Sequence, residues 1–444
     1  MSGTGPARGM RDFLPEDVRR RQYVIGVIAD VYQRYGFEPL ETPAVENIDT
    51  LMGKYGEEGD KLIFKILKRG EAAATGQADL ALRYDLTVPL ARVVAEYRAK
   101  LPKFFKRYQV QPVWRADRPQ KGRFREFYQC DVDAIGSRSV VVETEILAAA
   151  SDVLARLGFE QFTIRLNHRK ALAGMLQASG VPAGQQGEAL VALDKLDKIG
   201  PDGVRTELAS RGITAAAADA LVGLFGGEPG DNEATLARLR AITASHEAGT
   251  EGVADLERIL ALSASTSAAG RLQLDPSLAR GLSYYTGAIF EIAVSDLAGS
   301  LGGGGRYDNL IGMFLGQDVP ACGISLGLER ILVVMGERQM FPEGLGASAA
   351  DVMVTQWSEA RAADALALAG ELRAAGLRVE VYPEADKLGK QLKYASSRAV
   401  PFVVVAGDDE HARGEVSVKN LGTGDQVAVA REAVAAHLLS ALGR

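Results

Sequence analysis

The amino-acid sequence predicts an α+β protein with more than one domain. The chain has 444 residues, which exceeds what one hydrophobic core usually organises. Short β-prone segments between Asp79 and Ile135 indicate antiparallel strands, whereas strands alternate with helices after Ala350. We therefore expect an antiparallel core, a mostly helical insertion and a separate α/β domain.

The first predicted element is a helix. Apolar residues recur at helical spacing from Val18 to Tyr35, and Gly36 is a suitable helix stop. The next segment, Phe37–Pro43, contains two prolines. Each proline disfavours helical backbone at the residue before it, so this segment is expected to be extended.

Three β-prone segments follow, separated by a helix-like piece at Val88–Tyr97 and by a turn-rich loop at Ala116–Gly122. The three segments are Leu80–Tyr84, Tyr108–Trp114 and Phe124–Val132. This arrangement predicts antiparallel strands with a long loop between two of them. Another strand is expected at Tyr284–Val294, before the glycine run Gly302–Gly305.

The region between Lys170 and Ala268 is rich in alanine and leucine and has few aromatic residues, which predicts a mostly helical insertion. A turn-rich linker follows at Phe341–Ala347. The last part of the chain alternates strands (Asp351–Gln356, Val379–Tyr382, Phe402–Ala406) with helices (Ala360–Ala375, Leu388–Arg398). Such alternation predicts an α/β domain with a largely parallel sheet.

The composition is that of a globular protein, with 47% hydrophobic and 24% charged residues. No apolar run is long enough to cross a bilayer and the N-terminus lacks the apolar core of a signal peptide, so we expect a cytoplasmic protein without a membrane partner. Cys130 and Cys322 belong to no metal-binding motif. They are expected to be buried thiols, with no zinc and no other protein metal site.

The net charge is −6, so any site for a polyanion must be locally basic. Between positions 103 and 125 one acidic residue, Asp117, accompanies eight basic ones: Lys103, Lys106, Arg107, Arg115, Arg118, Lys121, Arg123 and Arg125. A solvated charged face is one explanation, and phosphate binding by arginines is the other. No P-loop or dinucleotide-binding glycine motif is present. Side chains would therefore have to hold a nucleotide, which suits adenylate formation because the attacking carboxylate is already ionised.

Five motifs are spread over nearly the whole chain: Gly36–Pro43, Arg83–Pro89, Trp114–Asp133, Ala279–Tyr285 and Gly327–Arg330. The first, third and fifth resemble the three signatures of class II aminoacyl-tRNA synthetases, the third in its histidine-specific form. The second and fourth resemble two motifs peculiar to histidyl-tRNA synthetases. The glycine run also fits that family, where it approaches the ligands closely, although a flexible turn is the alternative.

This resemblance implies an enzyme that activates L-histidine with ATP and transfers it to the 3′ end of tRNA(His), forming AMP and pyrophosphate. It implies a class II catalytic core, an antiparallel sheet flanked by helices, at residues 1–168 and 271–340. A helical insertion would occupy residues 169–270, and an α/β anticodon-binding domain residues 350–444. The first signature lies at the dimer interface in the family and so implies a homodimer.

The resemblance also assigns a histidine site. Its members would be Asp85, Leu86, Thr87, Arg115, Gln129, Asp133, Arg280, Tyr284 and Tyr285. Asp85, Thr87 and Gln129 would hold the α-amino group. Asp133 and Tyr285 would bind the imidazole, with Tyr284 beside them. A carboxylate and a phenol on opposite ring nitrogens recognise an imidazole as no apolar pocket can, although buried Asp and Tyr also serve as structural caps.

For ATP, the resemblance places Arg115 on the α-phosphate and Arg330 on the γ-phosphate. Arg123 would help, and Asp117 would lie near the base. Arg280 would lie between the histidine carboxylate and the α-phosphate, so Arg280 and Arg115 are the expected catalytic residues. Magnesium is expected with ATP. One departure is visible, because many relatives have Asp where this chain has Ser283.

Contacts with tRNA are expected at two places. Arg118 and Gln120, in the loop of the second signature, resemble an Arg-Pro-Gln sequence that contacts the extra 5′ guanosine of bacterial histidine tRNAs; the alternative is a loop that only orders over ATP. Lys387, Lys390 and Lys393 recur near one face of a predicted helix, where RNA contact and a solvated face are both open.

Two rival functions remain. One is a regulatory subunit that is like a histidyl synthetase and binds ligands without aminoacylation; such paralogues typically lack the C-terminal domain and the ATP-binding arginines. The other is a class II synthetase of different specificity, against which Asp133 and the Tyr284–Tyr285 pair argue. Pyrophosphate exchange driven only by histidine would separate these possibilities.

Overall fold

The protein is described by a computed structural model covering residues 3–120, 122–193, 195–225, 230–279, 284–297, 299–345 and 348–444. The chain divides into two compact units. The first contains Met1–Phe13 and Arg21–Met340, and the second contains Leu14–Arg20 and Phe341–Arg444. Within the described ranges, no helix is both long enough and apolar enough to span a membrane.

The helices and strands up to residue 340 are as follows. The helices are α1 (Pro15–Arg34), α2 (Ile48–Leu51), α3 (Gly56–Asp60), α4 (Thr87–Glu96), α5 (Val141–Arg156), α6 (Arg169–Ala178), α7 (Gln186–Leu193), α8 (Leu196–Ser210), α9 (Ala215–Phe225), α10 (Asn232–Thr243), α11 (Glu247–Ser263), α12 (Gly312–Leu315) and α13 (Leu328–Glu337). The strands are β1 (Glu38–Pro39), β2 (Val45–Asn47), β3 (Lys65–Leu67), β4 (Ala78–Leu82), β5 (Phe105–Trp114), β6 (Glu126–Ile135), β7 (Thr163–His168), β8 (Leu272–Leu274), β9 (Ala288–Ala293), β10 (Ser300–Arg306) and β11 (Ala321–Gly327).

An eight-stranded sheet forms the centre of the first unit, in the order β1-β5-β6-β11-β10-β9-β7-β8. Its pairs are antiparallel except β1 with β5 and β7 with β8. Apolar residues of α5, among them Ile146, Leu147, Val153 and Leu154, are buried, as expected for a helix with an apolar face against a core. The antiparallel core and the helical insertion predicted from the sequence are confirmed.

The glycine run is a strand in the interior of this sheet, so the alternative of a flexible turn is wrong. Gly304 pairs with Ile324 of β11 on one side and with Phe290 of β9 on the other. A Cβ atom on Gly304 would lie 2.0 Å from the carbonyl oxygen of Gly323. Glycine is present because the neighbouring backbone leaves no room for a side chain.

One strand prediction is confirmed and one needs correction. The strand predicted at Leu80–Tyr84 is present as β4, antiparallel to both neighbours in a three-stranded sheet of order β2-β4-β3. The strand expected from Tyr284 starts only at Ala288. Alternating apolar residues predict a strand, but its partners depend on long-range packing that the local pattern does not contain.

The second unit contains β12 (Val352–Val354), α14 (Ala362–Ala374), β13 (Val379–Val381), α15 (Leu388–Ser397), β14 (Phe402–Val405), α16 (Asp408–Arg413), β15 (Glu415–Asn420), β16 (Gln426–Ala430) and α17 (Val434–Ala441). Its sheet has the order β13-β12-β14-β15-β16. The first three strands are parallel, but β15 and β16 are added antiparallel, so the sheet is less parallel than predicted. Apolar side chains of α14 and α17, such as Leu368, Leu372 and Leu438, pack on it.

Candidate active site

A cavity of about 310 Å³ lies on the central sheet. Strands β6, β10 and β11 contribute to its lining, together with the segment before α4, the loop between β5 and β6, and the start of α13. The charged residues that line it are Asp85, Asp117, Asp131, Asp133 and Glu329 as acids and Arg115, Arg123 and Arg330 as bases. The cavity therefore combines hydrogen-bond acceptors with fixed positive charge.

Strand β6 provides one row of polar side chains. Gln129, Asp131 and Asp133 alternate along the strand and share one face, because successive side chains of a strand point to opposite sides. Opposite Asp133 lies Gly323 of β11. A Cβ atom on Gly323 would be 1.9 Å from Oδ1 of Asp133. Glycine at this position therefore makes room for the Asp133 carboxylate.

Asp133 is held by two buried partners. Its Oδ2 lies 2.9 Å from Nη2 of Arg107, the cross-strand neighbour on β5. Its Oδ1 accepts a hydrogen bond from the Tyr307 hydroxyl. Arg107 is fully buried and lies 3.9 Å from Asp131 as well. Burial raises the pKa of Asp133, while Arg107 acts to lower it.

Asp85 and Thr87 meet the cavity at the start of α4. Oδ1 of Asp85 accepts hydrogen bonds from the Tyr55 hydroxyl (2.9 Å) and the Val88 amide (3.0 Å). Burial raises the pKa of the Asp85 carboxyl. Leu86, which was predicted to bind histidine, is fully buried and is absent from the cavity lining because its side chain packs in the core.

Three tyrosines complete this part of the cavity. The rings of Tyr284 and Tyr285 are 5.0 Å apart, and the ring of Tyr307 lies 6.1 Å from that of Tyr284. Burial raises the pKa of Tyr284 well above its usual value. Tyr284 thus stays neutral and able to donate a hydrogen bond.

Side-chain and backbone contacts fix the arginines. Nε of Arg115 donates to the Tyr84 carbonyl (3.0 Å), and its guanidinium lies 4.3 Å from the centre of the Tyr84 ring. Arg123 forms a two-point pair with Asp117, at 2.9 and 3.2 Å. Nη1 of Arg330 donates to the Ser300 carbonyl at 2.5 Å. These contacts hold the guanidinium groups in fixed positions along the cavity.

The remaining predicted residues are placed differently. Arg280, Ser283 and Lys121 lie outside the described residues. Arg118 and Gln120 are exposed in the loop between β5 and β6 and do not line the cavity. Gln120 and Arg123 exchange backbone hydrogen bonds at 3.0 and 2.9 Å, so this loop has a defined turn.

The sequence interpretation missed several cavity residues. Asp131, Ser325, Tyr307 and Glu329 line the cavity. Arg107 lies behind it. A signal existed for Asp131, because it lies two residues from both Gln129 and Asp133 on a predicted strand and so had to share their face. Arg107 gave no such signal, because it is one of eight basic residues between positions 103 and 125 and its charge does not distinguish it from the others.

No group of three or more His, Cys, Asp or Glu side chains in the described part of the chain is arranged to hold a metal ion. Cys130 and Cys322 are both buried and unpaired with each other, as predicted. Burial raises the pKa of each thiol well above its ordinary value.

The antiparallel sheet with its cavity of arginines and carboxylates defines a class II aminoacyl-tRNA synthetase. Residues 9–331 match the family model for histidyl-tRNA synthetase, and residues 351–440 match that for an anticodon binding domain. The chain therefore belongs to the histidyl-tRNA synthetase family. The family and the tRNA aminoacylation function predicted from the sequence are confirmed.

Individual relatives agree over nearly the full length. The chain is 45% identical to a histidine–tRNA ligase of Porphyromonas gingivalis over 437 residues, which cover 94% of this chain and 95% of the relative. It is 42% identical to the ligase of Phocaeicola vulgatus over 439 residues, covering 95% and 96%. The crystal structure of histidyl-tRNA synthetase from Nostoc superposes with a TM-score of 0.81 at 30% identity and 99% coverage of both chains.

Proposed function

We propose that the cavity activates L-histidine with ATP and then passes the histidyl group to the 3′ end of tRNA(His). One observation carries the proposal. Oδ2 of Asp85, Oε1 of Gln129 and Oδ1 of Asp131 are buried and have no hydrogen-bond partner among the described residues, although the same cavity contains three arginines. Buried acceptors without partners are costly, so they indicate a ligand rich in N–H groups, and the arginines indicate phosphates.

L-Histidine supplies the required donors. Its ammonium group has three N–H bonds, which suit Asp85, Gln129 and Thr87. Its imidazole suits Asp133 and Tyr285, because one ring nitrogen donates and the other accepts in the neutral ring. An amino acid of similar size without ring nitrogens would leave the buried Asp133 carboxylate poorly matched, which is a strong basis for rejection.

The arginines are proposed to bind magnesium-ATP. Arg115 would contact the α-phosphate, Arg330 the γ-phosphate and Arg123 the phosphates between, with Asp117 near the base. Asp117 already pairs with Arg123 and would hold it in place. The family resemblance assigns Arg280 to the space between the histidine carboxylate and the α-phosphate.

The first step needs positioning and positive charge more than proton transfer. A carboxylate oxygen of histidine attacks the α-phosphorus, the bond to the bridging oxygen breaks, and pyrophosphate leaves with the electron pair. The carboxylate carries no proton, so no general base is required, and guanidinium groups stabilise the charge on the phosphates. In the second step a ribose hydroxyl of tRNA attacks the adenylate carbonyl carbon, the bond from that carbon to the phosphate oxygen breaks, AMP leaves with the electron pair, and the hydroxyl proton is released to solvent.

Further parts of the proposal concern partners. Three exposed lysines are proposed to contact tRNA: Lys387, just before α15, and Lys390 and Lys393 on α15. Arg118 and Gln120 are proposed to contact it as well. Lys390 already pairs with Asp386 at 2.7 Å. A homodimer and a cytoplasmic location remain proposals from the sequence.

Charging of tRNA(His) with labelled histidine tests this function. We expect the purified protein to charge the tRNA with histidine, and Arg115→Ala to lower the rate at least about 100-fold. Arg338→Ala is the matched control, because it removes an arginine that pairs with Asp296 away from the cavity lining. Unchanged charging by Arg115→Ala, or charging with another amino acid instead, would overturn the proposal.

A further inference from the structure

Trp357 lies just after β12, which is the middle strand of the parallel part of the second unit's sheet. Strands β13 and β14 lie on either side of β12, and both run parallel to it. The segments that follow these three strands therefore meet at the carboxyl edge of the sheet, which is where open α/β sheets bind their ligands. Trp357 is 43% exposed at this edge. A tryptophan so placed is a candidate for contact with a ligand.

The indole ring of Trp357 is held in place on one side. Its Nε1 donates to Oδ2 of Asp408 at 3.2 Å, and Nε of Arg361 donates to Oδ1 of the same carboxylate at 3.0 Å. A Cβ atom on Gly407 would lie 3.3 Å from both Cδ2 and Cε2 of the indole, the two atoms that its rings share. No other ring atom is closer, whereas a point in the ring plane at that distance would be closer to other ring atoms. Gly407 therefore covers one face of the indole, and the exposed part of the ring is left to solvent.

The segment that contains Trp357 is fastened to α15. The amide nitrogen of Gln356 donates to Oε1 of Gln391 at 3.0 Å, and Nε2 of Gln391 donates back to the Gln356 carbonyl at 2.9 Å. Gln391 is only 1% exposed, so this contact is buried. Its helix begins beside two exposed lysines, Lys387 and Lys390. The exposed indole therefore belongs to the same region of the surface as these positive charges.

The charges at this edge differ on the two sides of Trp357. The lysines of α15 follow β13, whereas α16, which follows β14, begins with three acidic residues: Asp408, Asp409 and Glu410. An unpaired nucleotide has a partner for each of these features. Its phosphates suit lysines, the N–H groups on its base edge suit carboxylates, and the flat face of its base suits an aromatic ring. This combination favours RNA as the ligand.

We propose that Trp357 is a stacking platform for one unpaired base of the tRNA anticodon loop. This inference deepens the proposed function and rests on it, because it assumes that the chain charges tRNA(His). Residues 351–440 match the model of an anticodon binding domain, and Trp357 lies within them. Every base has a flat face, so stacking contributes to affinity for the tRNA, while the identity of the base must be read at its edge by other groups.

The first experiment measures KM and kcat for tRNA(His) in charging by the full-length protein. We expect Trp357→Leu, which keeps apolar bulk but has no aromatic face, to raise the KM for tRNA about 10-fold. Trp357→Phe keeps an aromatic face and should stay within about 3-fold of the wild type. In both variants histidine-dependent pyrophosphate exchange should stay within about 2-fold, because the change affects tRNA binding alone. Trp357→Phe as impaired as Trp357→Leu would overturn the proposal.

Val427→Ala is the matched control. Val427 is an apolar residue of the same unit with similar exposure, 44%, but it lies on the edge strand β16, which is not a neighbour of β12. Its loss should leave the KM for tRNA unchanged. An increase as large as that of Trp357→Leu would show that any exposed apolar residue of this unit has the same effect, which would contradict a specific stacking site.

The second experiment identifies the base. Charging is measured with tRNA transcripts in which each anticodon-loop nucleotide in turn lacks its base. On one of these transcripts the penalty of Trp357→Leu should disappear, because the base that stacks on the indole is already absent, and on the others it should persist. A variant that simply folds poorly cannot produce this pattern. A penalty of the same size on every transcript would overturn the proposal.

The two levels of the account fail differently. If the wild-type protein does not charge tRNA(His), the proposed function itself is wrong. If the wild type charges this tRNA and Trp357→Leu has the same KM for it as the wild type, only the stacking role of Trp357 is wrong.

Discussion

The guanidinium of Arg107 and the carboxylate of Asp133 form an ion pair of 2.9 Å beneath the cavity, and both side chains are almost completely buried. Arg107 is shared, because Asp131 lies 3.9 Å from the same nitrogen. Loss of one member of a buried pair leaves an uncompensated charge, which is more costly than the loss of an exposed pair.

We therefore expect Arg107→Met to lower the free energy of unfolding by about 3–5 kcal/mol, measured by urea denaturation. The control is Arg338→Met, which removes a more exposed arginine paired with Asp296 and should cost about 1 kcal/mol or less. If both variants lost the same free energy of unfolding, burial of the Arg107 ion pair would not increase the cost of breaking it, which would contradict the prediction.

Gly323→Ala should misplace Asp133, because the added Cβ atom would lie 1.9 Å from Oδ1 of that carboxylate. We expect kcat/KM for histidine in pyrophosphate exchange to fall about 100-fold, since small displacements in an active site are costly. Gly336→Ala is the matched control, because no atom outside its own helix lies within 4 Å of the added Cβ. An active Gly323→Ala protein would mean that Asp133 has another position available.

The raised pKa of Asp131 predicts how stability changes with pH. The folded protein binds this proton with a pKa of about 7, against an ordinary value of 3.8. Because the folded state holds the proton more tightly, ionisation of Asp131 opposes folding. The free energy of unfolding of the wild type, relative to Asp131→Asn, should therefore fall as pH rises between about 4 and 7 and then level off. The free energies of unfolding are measured by denaturant titration at several pH values. If those of the wild type and Asp131→Asn changed with pH by the same amount, this prediction would be contradicted.

The lysines at the N-cap and on the body of α15 give a graded test of tRNA contact. Lys390 pairs with Asp386 at 2.7 Å, whereas Lys387 and Lys393 are exposed. We expect Lys387→Ala combined with Lys393→Ala to raise the KM for tRNA several-fold and to weaken its dependence on salt, because phosphate contacts release counterions. Lys390→Ala should have a smaller effect, and pyrophosphate exchange should not change. Equal KM values for tRNA in all variants would place the contact elsewhere.

Gln120 tests recognition of the 5′ end of the tRNA. Its side chain is exposed in a loop of defined backbone, outside the cavity lining. Gln120→Ala should lower charging of tRNA(His) but spare pyrophosphate exchange, and the loss should shrink on a tRNA without the extra guanosine. A loss of the same size on both tRNAs would favour a loop that only closes over ATP.

Motifs predicted much of the cavity, because residues close in sequence share a strand face or a helix start. Gln129 and Asp133 alternate on β6, and Asp85 and Thr87 lie at the start of α4. The buried state of Arg107 was not predictable from charge. Its neighbour Lys106 points to the other face of β5 and pairs with the half-exposed Glu145. Only the packing of β5 against β6 determines which of the two charges is buried.

The second unit shows a similar limit. Parallel strands were expected from the alternation of strands and helices, and β12 is indeed parallel to both β13 and β14. The antiparallel β15 and β16 were missed, although alternating valines on both sides of the glycines at 422 and 424 indicate a hairpin.

Amino-acid-dependent pyrophosphate exchange, measured with each of the twenty amino acids, tests the central claim most directly. If the acceptors of Asp85, Gln129 and Asp133 select L-histidine and the arginines bind ATP, exchange will depend on histidine and on no other amino acid, and Asp133→Leu will lose it. Exchange driven equally well by another amino acid, or no exchange with histidine by a folded protein, would contradict the account.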